Sequence, residues 1–317
     1  MKFTKTAVAV AIAAFAATPM IAAADTTLSG AVQIQVKGTD AGNDPDTLAI
    51  DEAALAEPTI AADDVLFGIT SEHEMDSGLT GYGSLRVDMN RLSNEGRQTF
   101  DPGTPEFDED DTEVTTLGSA DSVYVGIKGG FGDIRFGEVT SAAEYGQVAN
   151  DIFDVTGDIN GGMGYTGTFG PVGLAVSFAP ENNEDVIAVG AKFGLGGFAI
   201  GLGAEDRAET QAASAGVSFA FAGASIAAHF WTRENGDDTD TESVSAKIGY
   251  GFGGVSANLT VSMQDDGNDG EKEAVRLDLG YDLGGGMDIS ARVNAATDND
   301  DTTEDLTSYR VKLSKSF

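Results

Sequence analysis

Along most of this chain apolar and polar residues alternate one for one. Between Leu79 and Asn90 the apolar Leu85, Val87 and Met89 face away from Tyr82, Ser84, Arg86, Asp88 and Asn90. Further on, Val255, Ala257, Leu259, Val261 and Met263 oppose Ser256, Asn258, Thr260, Ser262 and Gln264. The last segment sets Tyr309, Val311 and Leu313 against Arg310, Lys312 and Ser314, and ends on the aromatic Phe317. Side chains leave a strand alternately to its two faces, so this period predicts strands with one apolar and one wet face.

Sixteen such segments can be marked. The first eight are Leu28 to Lys37, Val65 to Met75, Leu79 to Asn90, Ser122 to Lys128, Asp133 to Glu138, Gly164 to Phe169, Gly173 to Phe178 and Asp185 to Phe193. The others are Gly197 to Glu205, Ala213 to Ala220, Ala224 to Arg233, Ser243 to Tyr250, Gly254 to Gln264, Glu273 to Tyr281, Met287 to Thr297 and Leu306 to Phe317. Two kinds of connection alternate between them. One is short and glycine-rich, as in Asp76-Ser77-Gly78, Gly129 to Gly132, Gly170 to Gly173, Gly194 to Gly197, Phe221 to Gly223, Gly251 to Gly254 and Leu283 to Gly286. The other is longer and acidic, as in Arg91 to Ala120, Glu234 to Glu242, Asp265 to Glu271 and Asp298 to Asp305. An antiparallel meander has this pattern when all tight turns lie at one end and all long loops at the other. A strand running to the final carboxylate also needs a partner, because free termini fray. In a closed barrel the sixteenth strand pairs with the first, which predicts Phe317 near Leu28.

The chain opens with Lys2 and Lys5, continues through an apolar run from Ala7 to Ala17 and reaches Ala22-Ala23-Ala24 before Asp25. A basic start, a short apolar core and an A-x-A site predict a signal peptide over 1–24 and an exported domain over 25–317. Glycine supplies 42 of 317 residues, nearly twice the usual share of about 7 %, while proline is scarce and cysteine absent. Many short strands without disulfide staples suit that composition. The formal net charge of −34 argues against nucleic-acid binding, which needs a basic stripe. Sixteen regular strands with an export signal and wide acidic loops predict an apolar outside and a polar inside. In lipid every backbone group must be satisfied internally, which closed barrels achieve. The fold expected is therefore all-β: a transmembrane antiparallel β-barrel of sixteen strands, with short periplasmic turns and long extracellular loops.

At this point the chain resembles the general diffusion porins of the Gram-negative outer membrane, and is similar to those of alphaproteobacteria. The resemblance spans 25–317. It rests on the signal peptide, the first strand Leu28-Ser29-Gly30-Ala31-Val32, the hairpin Val123 to Gly137 and the terminal Phe317. It implies an outer-membrane, multi-pass channel for small hydrophilic solutes that assembles as a homotrimer among lipid and lipopolysaccharide. It also implies that Phe317 is an end signal for the outer-membrane barrel assembly machinery, and that the third long loop, Val139 to Met163 by position, folds into the lumen and narrows it. One departure is Lys315, on lipid-facing parity where the family is usually apolar; at a membrane rim a lysine can snorkel.

A water-filled channel selects by width and lining charge. The third loop offers Glu144, Asp151, Asp154 and Asp158 and no cation, while lumen parity on the strands offers Lys37, Arg86, Lys128, Arg135, Arg276, Arg292, Arg310 and Lys312. After closure these cations gather on one wall, and an acidic loop facing a basic wall sets a transverse field. The expected constriction is Glu144, Asp151, Asp154 and Asp158 against Arg86 and Arg135, with Lys37, Arg276, Arg292, Arg310 and Lys312 as pore lining. His73 reads as a rim residue, and His229 with Trp231 as local packing. The run Asp265-Asp266-Gly267-Asn268-Asp269-Gly270-Glu271 is rich in oxygen ligands, so Asp265, Asp266, Asp269 and Glu271 are candidate calcium ligands; a solvated acidic loop is the simpler reading. No cofactor is required. No nucleophile motif, H-E-x-x-H or Walker A loop occurs, so no enzymatic activity is expected. The function expected is passive diffusion of ions and small hydrophilic solutes with a preference for cations. The alternatives are a channel with a saturable site for one solute and a secreted calcium-binding β protein.

Overall fold

The computed structural model describes residues 25–39, 59–89, 119–148, 152–153, 158–181, 184–208, 210–235, 240–265, 267, 271–298 and 306–317. Residues 1–24, expected as a signal peptide, and Asp151, Asp154, Asp266 and Asp269 lie outside them. Sixteen strands follow one another: β1 (Asp25–Thr39), β2 (Thr59–Glu74), β3 (Thr80–Asp88), β4 (Ser119–Gly129), β5 (Gly132–Thr140), β6 (Asp158–Phe169), β7 (Val172–Glu181) and β8 (Glu184–Leu195). Then come β9 (Phe198–Arg207), β10 (Thr210–Phe221), β11 (Ala224–Glu234), β12 (Asp240–Phe252), β13 (Val255–Asp265), β14 (Glu271–Gly284), β15 (Met287–Asp298) and β16 (Leu306–Ser316). Each pairs antiparallel with its sequence neighbours, and β16 closes on β1. Closure leaves no edge strand, so the wall presents no open ladder to lipid.

The tight turns fall where the glycines stand. Between β10 and β11 two residues suffice, Ala222 at φ 50° and Gly223 at φ 84°. Two successive positive φ values match the right-handed twist of the flanking strands, as a type I′ hairpin turn requires.

The radial distribution is inverted relative to a soluble protein. Large apolar side chains such as Leu202, Val244, Ile248 and Leu279 are exposed on the outer wall, while Ser177, Ser245, Ser262, Thr260 and Asn294 are buried on the inner one. Ser245 and Ser262 share a hydrogen bond of 2.6 Å. An exposed apolar surface of this extent marks a wall that meets lipid or another protein rather than water. At the turn end the outer wall carries Phe169, Phe193, Phe198, Phe219, Phe221, Tyr250, Phe252 and Tyr281, the aromatic girdle of a membrane barrel. Lys315 stands at that same rim, its Nζ donating to the Gly285 carbonyl.

Several strands run beyond the segments expected, β2 starting at Thr59 and β12 at Asp240, and two points bear on the pore and its closure. Phe317 pairs near Leu28 as expected, two residues along at Gly30: Phe317 N donates to the Gly30 carbonyl (3.0 Å) and Gly30 N to the Phe317 carbonyl (2.9 Å). Alternation fixes which face a residue occupies but not which rung it occupies, and a shift of two keeps the face. The segment expected as the third loop is also shorter at both ends. Val139 and Thr140 belong to β5, and Asp158 to Met163 belong to β6, with Asp158 opposite Thr140. Alternation is obscured there because Val139 and Ile159 are apolar yet buried on the inner side, and the register slips between Gly137 and Val139.

Candidate functional site

After Thr140 the chain turns into the lumen. Ser141 caps a single 3-10 turn, Ala142–Gly146, its Oγ accepting from Ala143 N. This turn lies against the inner face of β7, β8, β9 and β10. Glycines clear its bed. A Cβ on Gly201 would collide with the Gly146 carbonyl oxygen, one on Gly190 with that of Ala142, and one on Gly203 would come 2.8 Å from the Ala143 carbonyl carbon. At the flanks a Cβ on Gly173 would lie 2.9 Å from Tyr145 Cε1, and one on Gly216 would lie 2.7 Å from Val148 Cγ2. Backbone therefore packs on backbone.

Polar pins fix the same segment. Ser141 Oγ donates to a carboxylate oxygen of Glu205, and Ala142 N donates to Ser177 Oγ at 2.9 Å. Glu205 is 8 % exposed and also lies 3.1 Å from Arg207 Nε. A carboxylate so far removed from water is tolerated because it is paired and hydrogen-bonded. Glu144, the loop residue expected at the constriction, rides on this anchored turn.

Facing it is a cluster on β3, β4 and β5. Tyr82, Gly126 and Arg135 are cross-strand neighbours. The absent side chain at Gly126, where a Cβ would strike the Tyr82 ring, lets Tyr82 reach across β4 to hydrogen-bond Asp133. The Arg135 guanidinium stacks over the Tyr124 ring at 4.1 Å, and Tyr124 meets Tyr82 edge-on with centroids 6.1 Å apart. Stacking of this kind contributes about 0.5–2 kcal/mol and holds the cation in one orientation. Arg135, Asp133, Glu144, Tyr145, Thr140 and Ser141 line one cleft of about 300 Å³.

The other expected cations all point inward. Lys37, Arg310 and Arg292 form one row across β1, β16 and β15, and Asp278 ends it, 2.6 Å from Arg292 Nε. Lys312 pairs with Asp63, which also accepts from Gln35 at 2.8 Å. Arg276 Nε donates to Asn294 at 2.9 Å, and Lys128 pairs with Glu72 at 2.7 Å. Arg86, however, stands opposite Ser122, four residues loopward of Tyr82. It is thus roughly 13 Å along the strand from the level of Arg135, and it does not line the cleft.

Lys192, Arg207, Arg233, Lys247 and Lys272 occupy inward positions too, so the basic lining extends beyond the wall expected for it. Trp231 and His229 are buried on the inner face, with Arg233 5.5 Å from the Trp231 ring centroid. His73 sits next to the last residue of β2, beside a turn.

Asp265 and Glu271 face each other across β13 and β14, and Asp265 Oδ1 accepts from Gly267 N at 2.9 Å. Among the described residues no group of three or more potential metal ligands converges.

Sequence reading missed Tyr82, Tyr124, Asp133, Ser141, Glu205 and the glycine bed. Parity places Tyr82, Tyr124 and Asp133 on the inner face with Arg135, and the strand register brings them beside it. The Ser141–Glu205 contact spans 64 positions and leaves no local mark.

A family model described as Gram-negative porin matches residues 7–302. Among curated proteins none matches the chain in sequence. Among solved structures, the anion-selective porin from Comamonas acidovorans is similar, with 15 % identity, 93 % of this chain and 100 % of that one covered, and a TM-score of 0.71. The in-vitro folded trimer form of OmpT, an outer-membrane protein of Vibrio cholerae, is 12 % identical over 93 % of this chain and 100 % of its own, at 0.67. A mutant Rh. blastica porin is 13 % identical over 92 % and 100 %, at 0.65. At such identities the likeness shows the fold.

Proposed function

Because the chain belongs to the Gram-negative porin family, we propose that it passes ions and small hydrophilic solutes by passive diffusion, with a preference for cations. That it is a multi-pass outer-membrane channel follows from the family and the closed sixteen-stranded barrel. The observation that carries the finer reading is the cleft where Glu144, on the anchored turn, meets Arg135 on the wall. Opposite charges held across a water-filled constriction orient dipolar solutes and slow apolar ones. The preference for cations rests on the net charge of −34, much of it on the long acidic connections at the mouth, where it concentrates cations before entry. The basic lining moderates that preference.

The trimer form of a similar structure, OmpT, supports a homotrimer for this chain, and the outward Phe317 at the turn rim suits recognition by the barrel assembly machinery. Reconstitution into a planar bilayer tests the proposal. Stepwise conductance with a cation-directed reversal potential in a low-salt gradient is expected; clear anion selectivity would overturn the cation preference. The charged and polar lining that Arg135, Asp133 and Glu144 give the cleft favours one second reading, a saturable solute site, which current block at low solute concentration would reveal.

A further inference from the structure

The turn Ala142–Gly146 lies on β7 to β10. Strands β14, β15, β16 and β1 stand about halfway round the closed sheet from it, and their inner face gathers positive charge. Six of the chain's 18 lysines and arginines fall in three adjacent inward rows that run on into β12. One row reads Lys37, Arg310, Arg292, Asp278. The row toward the loops carries Arg276 and Lys247, and the row toward the turns carries Lys312.

Arg310 stands at the centre. Its cross-strand neighbours are Lys37 and Arg292, and its inward neighbours along β16 are Ser308 and Lys312. Three of those four positions carry cations and none an acid. Asp278 and Asp63 lie beyond them, Asp278 2.6 Å from Arg292 Nε and Asp63 paired with Lys312. Like charges directly opposite each other in a sheet are destabilising. On a chain of net charge −34, the register therefore sets Arg310 between two cations on a face that meets the lumen. An anion bound there would offset that repulsion.

The spacing restricts the anion. Side chains directly opposite start about 5 Å apart, so Arg310 and either neighbour present two cationic groups within reach of one small molecule. A guanidinium takes two oxygens side by side in its planar fork, and the bond to Asp278 orients the Arg292 fork. A monoanion engages one of these groups, whereas a dianion engages two at once.

We propose that Arg310, flanked by Lys37 and Arg292, holds a small dianion in the lumen, with inorganic phosphate and a short dicarboxylate as the two sources of that chemistry. The proposal rests on the water-filled channel proposed above; neither the cation preference nor the cleft at Arg135 enters it.

Single-channel recording in potassium chloride tests it, with succinate, hydrogen phosphate or acetate added at constant ionic strength. Succinate or phosphate should change the unit conductance saturably, with half the effect at a concentration about tenfold or more below that for acetate. Whichever of the two acts at the lower concentration identifies the source. Lys37→Gln with Arg310→Gln should remove the saturable component. Arg310→Lys, which keeps the charge and loses the fork, should retain it at a raised concentration. Heat-modified gel mobility reports that both variants have folded. Equal potency of acetate, a response that never saturates, a component kept by the double variant, or one lost in Arg135→Ala instead would each overturn the proposal. A barrel without conductance in salt alone would overturn the channel reading itself, whereas a conducting channel indifferent to dianions overturns this proposal alone.

Discussion

The ring of Phe317 lies over Gly30. A Cβ built on Gly30 would come 2.7 Å from Phe317 Cε2, while the two backbones exchange hydrogen bonds of 2.9 and 3.0 Å. The final residue of the chain is therefore both the last rung of the closing ladder and a lipid-facing plug over a space that only glycine leaves open.

Deleting Phe317 should lower the yield of folded barrel, read as the fraction with heat-modified mobility, while leaving the unit conductance of the channels that do form unchanged. Gly30→Leu should act in the same direction by displacing the ring, at about 1–3 kcal/mol. A changed unit conductance would mean that closure also shapes the pore.

The glycine bed predicts an asymmetry between two similar substitutions. Gly201→Ala drives a methyl group into the Gly146 carbonyl and should lift the 3-10 turn from the wall, raising single-channel conductance. Gly194→Ala, whose Cβ would meet nothing nearer than 4.0 Å, should leave it as it is. Equal conductance in the two variants would show that the turn does not narrow the pore.

Ser141→Ala removes a donor from Glu205 and leaves that carboxylate buried with one partner fewer. The cost should be about 1–3 kcal/mol, and the loosened turn should add open-channel current noise.

Glu144 and Arg135 should shift selectivity in opposite directions. Glu144→Gln removes a negative charge from the cleft and should lower the cation-to-anion permeability ratio; Arg135→Ala should raise it. Both shifts should shrink as salt is increased past 0.1 M, where screening acts within about 10 Å. Shifts of the same sign in reversal-potential measurements would place the cleft off the ion path.

Much of the fold was legible because a membrane strand shows itself within about ten residues. Val255 to Gln264 and Tyr309 to Ser314 alternate without interruption, and both lie in strands with the faces expected. Legibility failed at Val139 and at Asp158 to Met163. There the inner side is apolar because other parts of the protein bury it, so local alternation no longer separates strand from loop.

Of the candidate site, the sequence by itself determined the faces: Arg135 and Lys37 inward, Leu313 and Phe317 outward. Those follow from a two-residue period, which needs no knowledge of partners. Only the tertiary structure decided rung and depth. Near Leu28 it is Gly30 that Phe317 meets, Arg86 stands four residues loopward of the level of Arg135, and Ser141 finds Glu205 far along the chain. The physical reason is that a period of two is blind to shifts of two, while cross-strand contacts depend on the register of the whole closed sheet.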